Sequence, residues 1–299
     1  MWIVFALLSA FFTGSIAIIV KYGQKDVPEN NALALRCIVT VLLCALLIFA
    51  GYGEGDELQE SRESVSLAHT LMLLGSGAFM YASQLFYYKA LKQGRVSLAV
   101  SLEKLNVPLT LLGGALFFGE KIKLLGWLSL ALIVLGIFGG ADIKFNTSSK
   151  SREDSGKSPH GLGAFACGSL SALCGSGAVL LAKRSMDGYN GVNALALRCA
   201  LVVVISLAVS KKRGELKELL RMNKEQWFFA LSVGLISAVA YLCSFLALDM
   251  AQAGRSHSVE KLSAAFALLL SRLVMGERLR MREAAGVFLM SAGVLLLLL

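Results

Sequence analysis

The chain has 299 residues, of which 56% are hydrophobic and 16% are charged, and its mean hydropathy is +0.68. A bilayer core about 30 Å thick takes about 20 apolar residues per helical crossing, so ten crossings with short connections use almost the whole chain. This excludes a secreted disulfide scaffold, a disordered chain and a soluble enzyme with a membrane anchor, and the net charge of +9 lies mostly in short connections rather than in a nucleic-acid-binding motif.

Ten apolar segments follow one another along the chain, and each predicts a membrane-spanning helix. The first lacks the basic start and the cleavage site of a signal peptide, so we expect it to remain in the mature protein. Hydrophilic stretches occur at 52–68, 143–159 and 211–226. The predicted fold class is an all-α integral membrane protein with ten transmembrane helices. The segments are 2–22, 32–51, 70–91, 96–119, 124–141, 161–183, 192–210, 227–249, 257–276 and 283–299.

The lysine and arginine residues of the connections are unevenly divided between the two sides of the predicted membrane. Counted together with Lys21, Lys89 and Lys183 at the segment ends, the connections after the odd-numbered segments hold 18 of them, and those after the even-numbered segments hold 6. Because basic residues are retained on the cytoplasmic side, this distribution predicts that both termini lie outside. We expect a multi-pass protein surrounded by membrane lipids, in the plasma membrane of a prokaryotic cell.

An internal repeat divides the chain into two halves. The string NALALRC occurs at 31–37 and again at 193–199. The repeat predicts five-helix units in 1–142 and 160–299, joined by a polar linker in 143–159. Further matches, in the same order along both halves, are Tyr81 with Tyr241, Glu103-Lys104-Leu105 with Glu260-Lys261-Leu262, and Gly119-Glu120 with Gly276-Glu277.

Five helices per repeat is an odd number, so the second copy is expected to enter the membrane from the opposite side. Two similar bundles in inverted orientation can form two nearly equivalent states, each open to one side, and this is the usual structural basis of alternating access. Inverted repeats together with charges inside the membrane are typical of transporters. The alternative is a duplicated structural bundle that moves nothing.

Charged side chains lie inside the predicted spans, in pairs related by the repeat. A charge in hydrocarbon costs about 2.5 to 3.5 kcal/mol, so we expect these groups to face a cavity or a partner. Their formal charges sum to +2, which suits a ligand with a carboxylate or phosphate. The pairs are Arg36 with Arg198, Glu103 with Glu260, and Lys104 with Lys261.

Two interpretations of these charges stay open. In one, static ion pairs Arg36–Glu103 and Arg198–Glu260 lock the helices together. In the other, a glutamate binds a coupling proton and the basic groups contact the substrate, with a serine on the same helical face as each lysine. For the tyrosines, bundle packing or anchoring at the membrane interface is the alternative. The candidate substrate-binding residues are Arg36, Tyr81, Ser101, Lys104, Arg198, Tyr241, Ser258 and Lys261, and the candidate coupling residues are Glu103 and Glu260.

Sequence motifs for catalysis, cofactors and metals are absent. HExxH, P-loop, GxSxG and dinucleotide fingerprints do not occur, and the six cysteines lie in apolar stretches without metal-ligand spacing. We therefore expect no enzyme activity, no cofactor, no metal site and no nucleic acid partner. Pro108 is interpreted as a tolerated proline or as a hinge in the fourth helix. His257, beside the second charge pair, is interpreted as an interfacial histidine, and Ser9 as a helix-packing residue.

Several of these features together resemble the EamA family of the drug/metabolite transporter superfamily over nearly the whole chain. They are the repeat, Arg36, the segment FYYKALKQGRVSLAVSLEKL at 86–105 and the helix ends LFFGEK and VMGERL. The resemblance implies a ten-helix transporter of small organic solutes, often an exporter of amino acids or other metabolites. It also implies cytoplasmic termini, which opposes the charge distribution. Asp249 stands where the first half has Lys89, so the two half-sites are not identical.

The sequence as a whole predicts a secondary active transporter that moves a small polar metabolite by alternating access. The expected substrate is amino-acid-like and anionic or zwitterionic, and a proton is the candidate coupling ion. A lipid flippase, in which basic connections bind an anionic headgroup, is the first alternative. A membrane subunit that transports nothing is the second.

Overall fold

The described part of the chain is built from α-helices alone. The computed structural model describes residues 1–23, 28–51, 66–93, 102, 105–119, 124–140, 160–275 and 281–298, and in these ranges it has no other regular element. The helices are α1 (Trp2–Gly23), α2 (Glu29–Phe49), α3 (Leu67–Gln93), α4 (Asn106–Phe118), α5 (Leu124–Gly140), α6 (His160–Ser185), α7 (Gly191–Arg213), α8 (Leu216–Leu220), α9 (Lys224–Met250), α10 (Ala253–Glu260), α11 (Ser263–Met275) and α12 (Met281–Leu298).

Helices occur within all ten predicted segments, which confirms the all-helical fold class. By length and composition, four stretches of the described chain suffice to cross a membrane, namely 30–49, 165–185, 191–213 and 224–250. They lie in α2, α6, α7 and α9. Shorter apolar stretches occur in α1, α4, α5 and α12. The predicted linker, 143–159, lies outside the described residues.

The prediction of one continuous helix over 257–276 is wrong. α10 ends at Glu260, and α11 begins only at Ser263. Between them, Lys261 and Leu262 each donate a backbone hydrogen bond of 3.0 Å to the carbonyl oxygen three residues back, rather than four. These tighter bonds satisfy the two amides while the chain turns. The turn falls at the charged pair Glu260-Lys261, which the sequence interpretation placed inside a continuous helix.

Pro108 lies in the first turn of α4, two residues after the helix begins at Asn106. A backbone nitrogen in this turn has no carbonyl partner within its own helix, so proline removes no hydrogen bond there. The tolerated-proline interpretation therefore fits the structure, and no hinge is needed at this position.

Helices of one half pack mainly against helices of the other, and the packing partners exchange between the halves. α1 packs on α9 as α6 packs on α3, α2 packs on α9 as α7 packs on α3, and α4 packs on α6 as α11 packs on α1. The remaining large interfaces join equivalent helices, α2 with α7 and α5 with α12. Such exchange of partners is what a two-fold relation between similar units produces. The packing therefore follows the repeat seen in the sequence.

The same reciprocity holds for single residues. A Cβ added to Gly136 in α5 would lie 2.6 Å from the backbone nitrogen of Met290 in α12. A Cβ added to the equivalent Gly293 would lie 3.1 Å from the backbone nitrogen of Ile133, which is itself equivalent to Met290. Glycine thus permits the close approach of α5 and α12 from both sides. In α2 and α7, the equivalent Cys37 and Cys199 are both buried in the same hydrophobic cluster.

Candidate substrate cavity

A cavity of about 260 Å³ lies between the two halves. Side chains of α1, α2, α3 and α4 from the first half line it, together with side chains of α6, α7, α9, α10 and α11 from the second half. Part of the wall is apolar and includes Ile16, Met80, Leu195, Phe245 and Leu248. The rest is polar, so the cavity suits a small molecule that has both a charged and an apolar part.

The predicted site residues fall into three groups. Ser101, Glu103 and Lys104 lie outside the described residues. Ser258 and Tyr81 are buried, but neither lines the cavity. The residues that do line it are Arg36, Arg198, Tyr241, Glu260 and Lys261. The structure therefore brings together predicted residues that are far apart in the sequence.

Arg36 of α2 is held by two side chains of α9. Its Nε donates to Oγ of Ser237 at 3.1 Å, and its Nη2 donates to the phenol oxygen of Tyr241 at 3.2 Å. The guanidinium also lies 5.8 Å from the centroid of the Tyr241 ring. α9 thus fixes both donors on one edge of this guanidinium.

Arg198 of α7 occupies the equivalent position but has different neighbours. Its side chain is 8% exposed, and its guanidinium lies 5.1 Å from the ring centroid of Phe245. Among the residues that the structure describes, its buried Nε has no hydrogen-bond partner. The repeat supplies the reason, because Gly77 stands in α3 where α9 has Ser237. Gly77 faces Arg198, since a Cβ added there would lie 3.6 Å from Cγ of Arg198.

Tyr81 also departs from its equivalent, Tyr241. Its hydroxyl donates to Oδ1 of Asn30 at 3.1 Å, and Nδ2 of Asn30 donates to the carboxylate of Glu215 at 2.9 Å. Tyr81 therefore connects α3 to the start of α2 and to the connection after α7. It contributes to packing in this conformation, which was the alternative interpretation for the tyrosines.

Glu260 lies at the end of α10, where the ninth segment is interrupted. Its carboxylate accepts a hydrogen bond from Oγ of Ser9 at 3.1 Å and lies 3.1 Å from Nδ1 of His257. In the described part of the chain, the predicted ion pair between Arg198 and Glu260 is not formed. The other predicted pair, Arg36 with Glu103, involves a residue that lies outside the described ranges.

Two residues around Glu260 have roles that the sequence interpretation missed. His257 is buried, contacts Glu260 and lines the cavity, a placement that the sequence interpretation did not predict. Its spacing of three residues from Glu260 on one helix was the available signal. Ser9 was assigned to helix packing, and the structure adds a direct hydrogen bond from it to a charged group.

Asn106 and Ser263 were also missed as cavity residues. Each directly follows a Glu-Lys-Leu string, one in each half, and both line the cavity. The repeat contained this signal, because a position that is polar after the same string in both halves is a candidate for the same surface. Within the described ranges, no group of three or more histidine, cysteine, aspartate or glutamate side chains is arranged to hold a metal ion.

Comparison with known proteins identifies the family of the chain. The sequence pattern of the EamA-like transporter family matches residues 1–139 and 162–299, which together make up most of the chain. The chain belongs to the EamA-like transporter family. It is therefore a multi-pass membrane transporter of the drug/metabolite superfamily, and the resemblance seen in the sequence is confirmed.

Relatives of this EamA-like transporter carry transporter names without a stated substrate. An uncharacterized transporter in the cobO 3' region of Sinorhizobium sp is 33% identical over 135 residues, which are 45% of this chain and 92% of that protein. The uncharacterized transporter YxxF of Bacillus subtilis (strain 168) is 25% identical over 293 residues, covering 98% of this chain and 88% of that one. A solved crystal structure matches with a TM-score of 0.75 at 14% identity, covering 100% of this chain and 98% of the other, and supports the fold alone.

Proposed function

We propose that this EamA-like transporter is a secondary active transporter of a small polar metabolite that is amino-acid-like and anionic or zwitterionic. The observation that carries the proposal is the convergence of Arg36, Arg198, Lys261 and Glu260 on one cavity between the two halves. Charged groups within membrane-spanning segments are retained mainly where they bind substrates or ions. The transporter acts without a catalytic group, a cofactor, a metal or a nucleic acid partner.

The transport cycle proposed here is alternating access by ten transmembrane helices in two inverted repeats, 1–142 and 160–299. Two observations support it. The packing partners of the helices exchange between the halves, as expected for units related by a two-fold axis. The interruption between α10 and α11 lies at the cavity, and helices of secondary transporters are often discontinuous where a substrate binds.

The charge of the cavity supports an anionic group on the substrate. Three basic side chains line it, and Glu260 is the acidic one among the described residues. A carboxylate on the ligand offsets this positive charge, while the apolar wall accepts a short hydrocarbon side chain. An amino acid or a similar zwitterion has both parts, and its ammonium group has an acceptor in Glu260.

A proton bound to Glu260 is the proposed coupling ion. The carboxylate is partly buried and its two oxygens interact with Ser9 of α1 and His257 of α10, so its protonation weakens a link between the two halves. A change in that link gives the proton a different affinity for the two states of the transporter, which is the requirement for coupling. Glu103, the repeat equivalent, is the second proposed coupling residue.

Flux measurement in liposomes tests the proposal. The purified protein is reconstituted, and uptake of labelled amino acids, organic anions, sugars and amines is measured with and without an inward proton gradient. We expect saturable, gradient-stimulated uptake of at least one anionic or zwitterionic solute. Background flux for every class contradicts the proposal.

A matched pair of variants links the flux to the cavity. Lys261→Ala removes a basic group from the lining, whereas Arg255→Ala removes one from α10 that does not line the cavity. We expect Lys261→Ala to weaken the apparent ligand affinity about tenfold or more, since a hydrogen bond to a charged group contributes about 1.5 to 3 kcal/mol. The affinity is measured by ligand-induced thermal stabilisation. Arg255→Ala keeps the wild-type response. Equal responses of the two variants remove Lys261 from the site.

A further inference from the structure

The two equivalent arginines differ along one particular edge of the guanidinium. Nε and Nη2 form a fork of parallel donors that matches the two oxygens of a carboxylate. In Arg36 both donors of this fork are used, by Ser237 and by Tyr241. Arg36 therefore cannot offer this fork to a ligand without first breaking two hydrogen bonds to α9.

The same edge of Arg198 is left open by two changes in the opposite half. Gly77 stands where the other half has Ser237, and it has no hydroxyl. Tyr81 stands where the other half has Tyr241, but it donates its hydroxyl to Asn30. Nε of Arg198 consequently has no partner among the described residues, although the side chain is more than nine-tenths buried and lines the cavity. A buried donor without an acceptor costs free energy that a ligand recovers when it binds.

We infer that Arg198, and not Arg36, is the anion receptor of the cavity, and that it binds a substrate carboxylate through Nε and a terminal nitrogen. This inference rests on the proposed function and adds the chemical group recognised and the residue that recognises it. Phe245 packs on the face of the guanidinium at 5.1 Å, which leaves the edge for the carboxylate. Nε is shielded in the present conformation, so binding includes a rotation of the end of the side chain.

Gly77 offers a sharp test because the missing hydroxyl can be restored. In Gly77→Ser, the new hydroxyl occupies the place that Ser237 has beside Arg36, and it satisfies Nε of Arg198. Gly77→Ala is the packing control, since it adds the same Cβ without the hydroxyl. That Cβ would lie 3.1 Å from the carbonyl oxygen of Arg198 and 3.3 Å from Leu201, so both variants require the same small adjustment.

The measurement is ligand-induced stabilisation and binding affinity of the purified full-length protein. The probes are the L-amino acids and short mono- and dicarboxylates, each compared with the corresponding amine or alcohol that lacks the carboxylate, and inorganic phosphate. We expect Gly77→Ser to weaken binding of the carboxylate probes about 10- to 100-fold relative to Gly77→Ala, the range for one hydrogen bond to a charged group. Ser237→Ala, which frees Nε of Arg36 instead, keeps carboxylate affinity within about threefold. Arg198→Lys, which retains the charge but loses the fork, weakens binding as Gly77→Ser does.

Three results overturn the inference. The first is equal carboxylate affinity in Gly77→Ser and Gly77→Ala, and the second is unchanged carboxylate binding in Arg198→Lys. The third is a wild-type protein that binds phosphate, or one that binds none of the carboxylate probes. The proposed function fails in a different way, namely when the wild-type protein binds a carboxylate in detergent but carries no flux in liposomes. The two failures are therefore distinguishable.

Discussion

Gly136 and Gly293 occupy equivalent positions and make equivalent close contacts, whereas Arg36 and Arg198 occupy equivalent positions and make different ones. The first pair lies where α5 and α12 pack backbone against backbone. The second pair lies at the cavity. The repeat has thus been kept where the halves pack together and has diverged where they enclose space.

This difference has a physical basis. Two similar units that pack through a two-fold axis need the same shape on both sides, so a change in one half is felt at the equivalent contact in the other. A small metabolite has no two-fold symmetry. A cavity lined by both halves fits such a ligand better when equivalent positions carry different side chains, as Ser237 and Gly77 do.

The largest expected effect concerns Glu260, whose contacts to Ser9 and His257 belong to the divergent region. Glu260→Gln retains an oxygen that accepts the hydrogen bond from Ser9 but cannot take up and release a proton. We expect gradient-driven accumulation in liposomes to fall to the level seen without a gradient, while exchange of labelled for unlabelled substrate continues. Arg255→Ala, which removes a charge from α10 outside the cavity, is the control and retains accumulation. Full accumulation by Glu260→Gln moves coupling to another residue.

The symmetric region is tested by alanine at the two equivalent glycines. A Cβ at Gly136 meets backbone atoms of α12 at 2.6 Å, so Gly136→Ala forces the helices apart and is expected to lower the free energy of unfolding by about 3 kcal/mol. Gly293→Ala acts in the same direction by about 2 kcal/mol, since its closest contacts are 2.9 Å. Thermal unfolding in detergent measures both.

Gly139→Ala is the matched control for these variants. It lies one turn from Gly136 in α5, and a Cβ there meets nothing within 4 Å in the described structure. We expect a change in unfolding temperature near zero or slightly positive, because alanine favours a helix more than glycine does. If Gly293→Ala resembles this control while Gly136→Ala does not, the interface is not reciprocal.

The helices could be predicted from the sequence more completely than the contacts at the cavity. The ten apolar segments were enough to predict the helices, and the two NALALRC strings were enough to predict that Arg36 and Arg198 are equivalent. Membrane spans and duplications leave strong patterns in a sequence. The turn at Lys261 could not be predicted in this way, since it is made by backbone hydrogen bonds that a count of apolar residues does not specify. Hydrogen bonds between halves, such as Ser9 with Glu260, depend on packing distances that one sequence does not contain.

Variants of the two equivalent tyrosines test the same difference between the halves, with a smaller expected effect. Tyr241→Phe removes the acceptor for Nη2 of Arg36 and is expected to cost about 1.5 kcal/mol of stability, the lower end for a bond to a charged group, because Arg36 is only partly buried. Tyr81→Phe removes a neutral bond to Asn30 and is expected to cost about 1 kcal/mol. Only Tyr241→Phe is expected to change the substrate concentration for half-maximal transport. A transport change in Tyr81→Phe of the same size contradicts the assignment of Tyr81 to packing.

The smallest effect is expected between α2 and α7, where Cys37 and Cys199 are buried in the same hydrophobic cluster. Cys37→Ala and Cys199→Ala each remove one buried sulfur from the same cluster, so each is expected to cost about 1 kcal/mol, and by nearly equal amounts. Because both side chains belong to the same cluster, the double variant costs less than the sum of the two, by about 0.5 kcal/mol, in a double-mutant cycle of unfolding free energies. Cys174→Ala, buried in α6 outside this cluster, is the control and adds to Cys199→Ala without such a term. Unequal single costs would place the divergence between the halves at the helix interface as well as at the cavity.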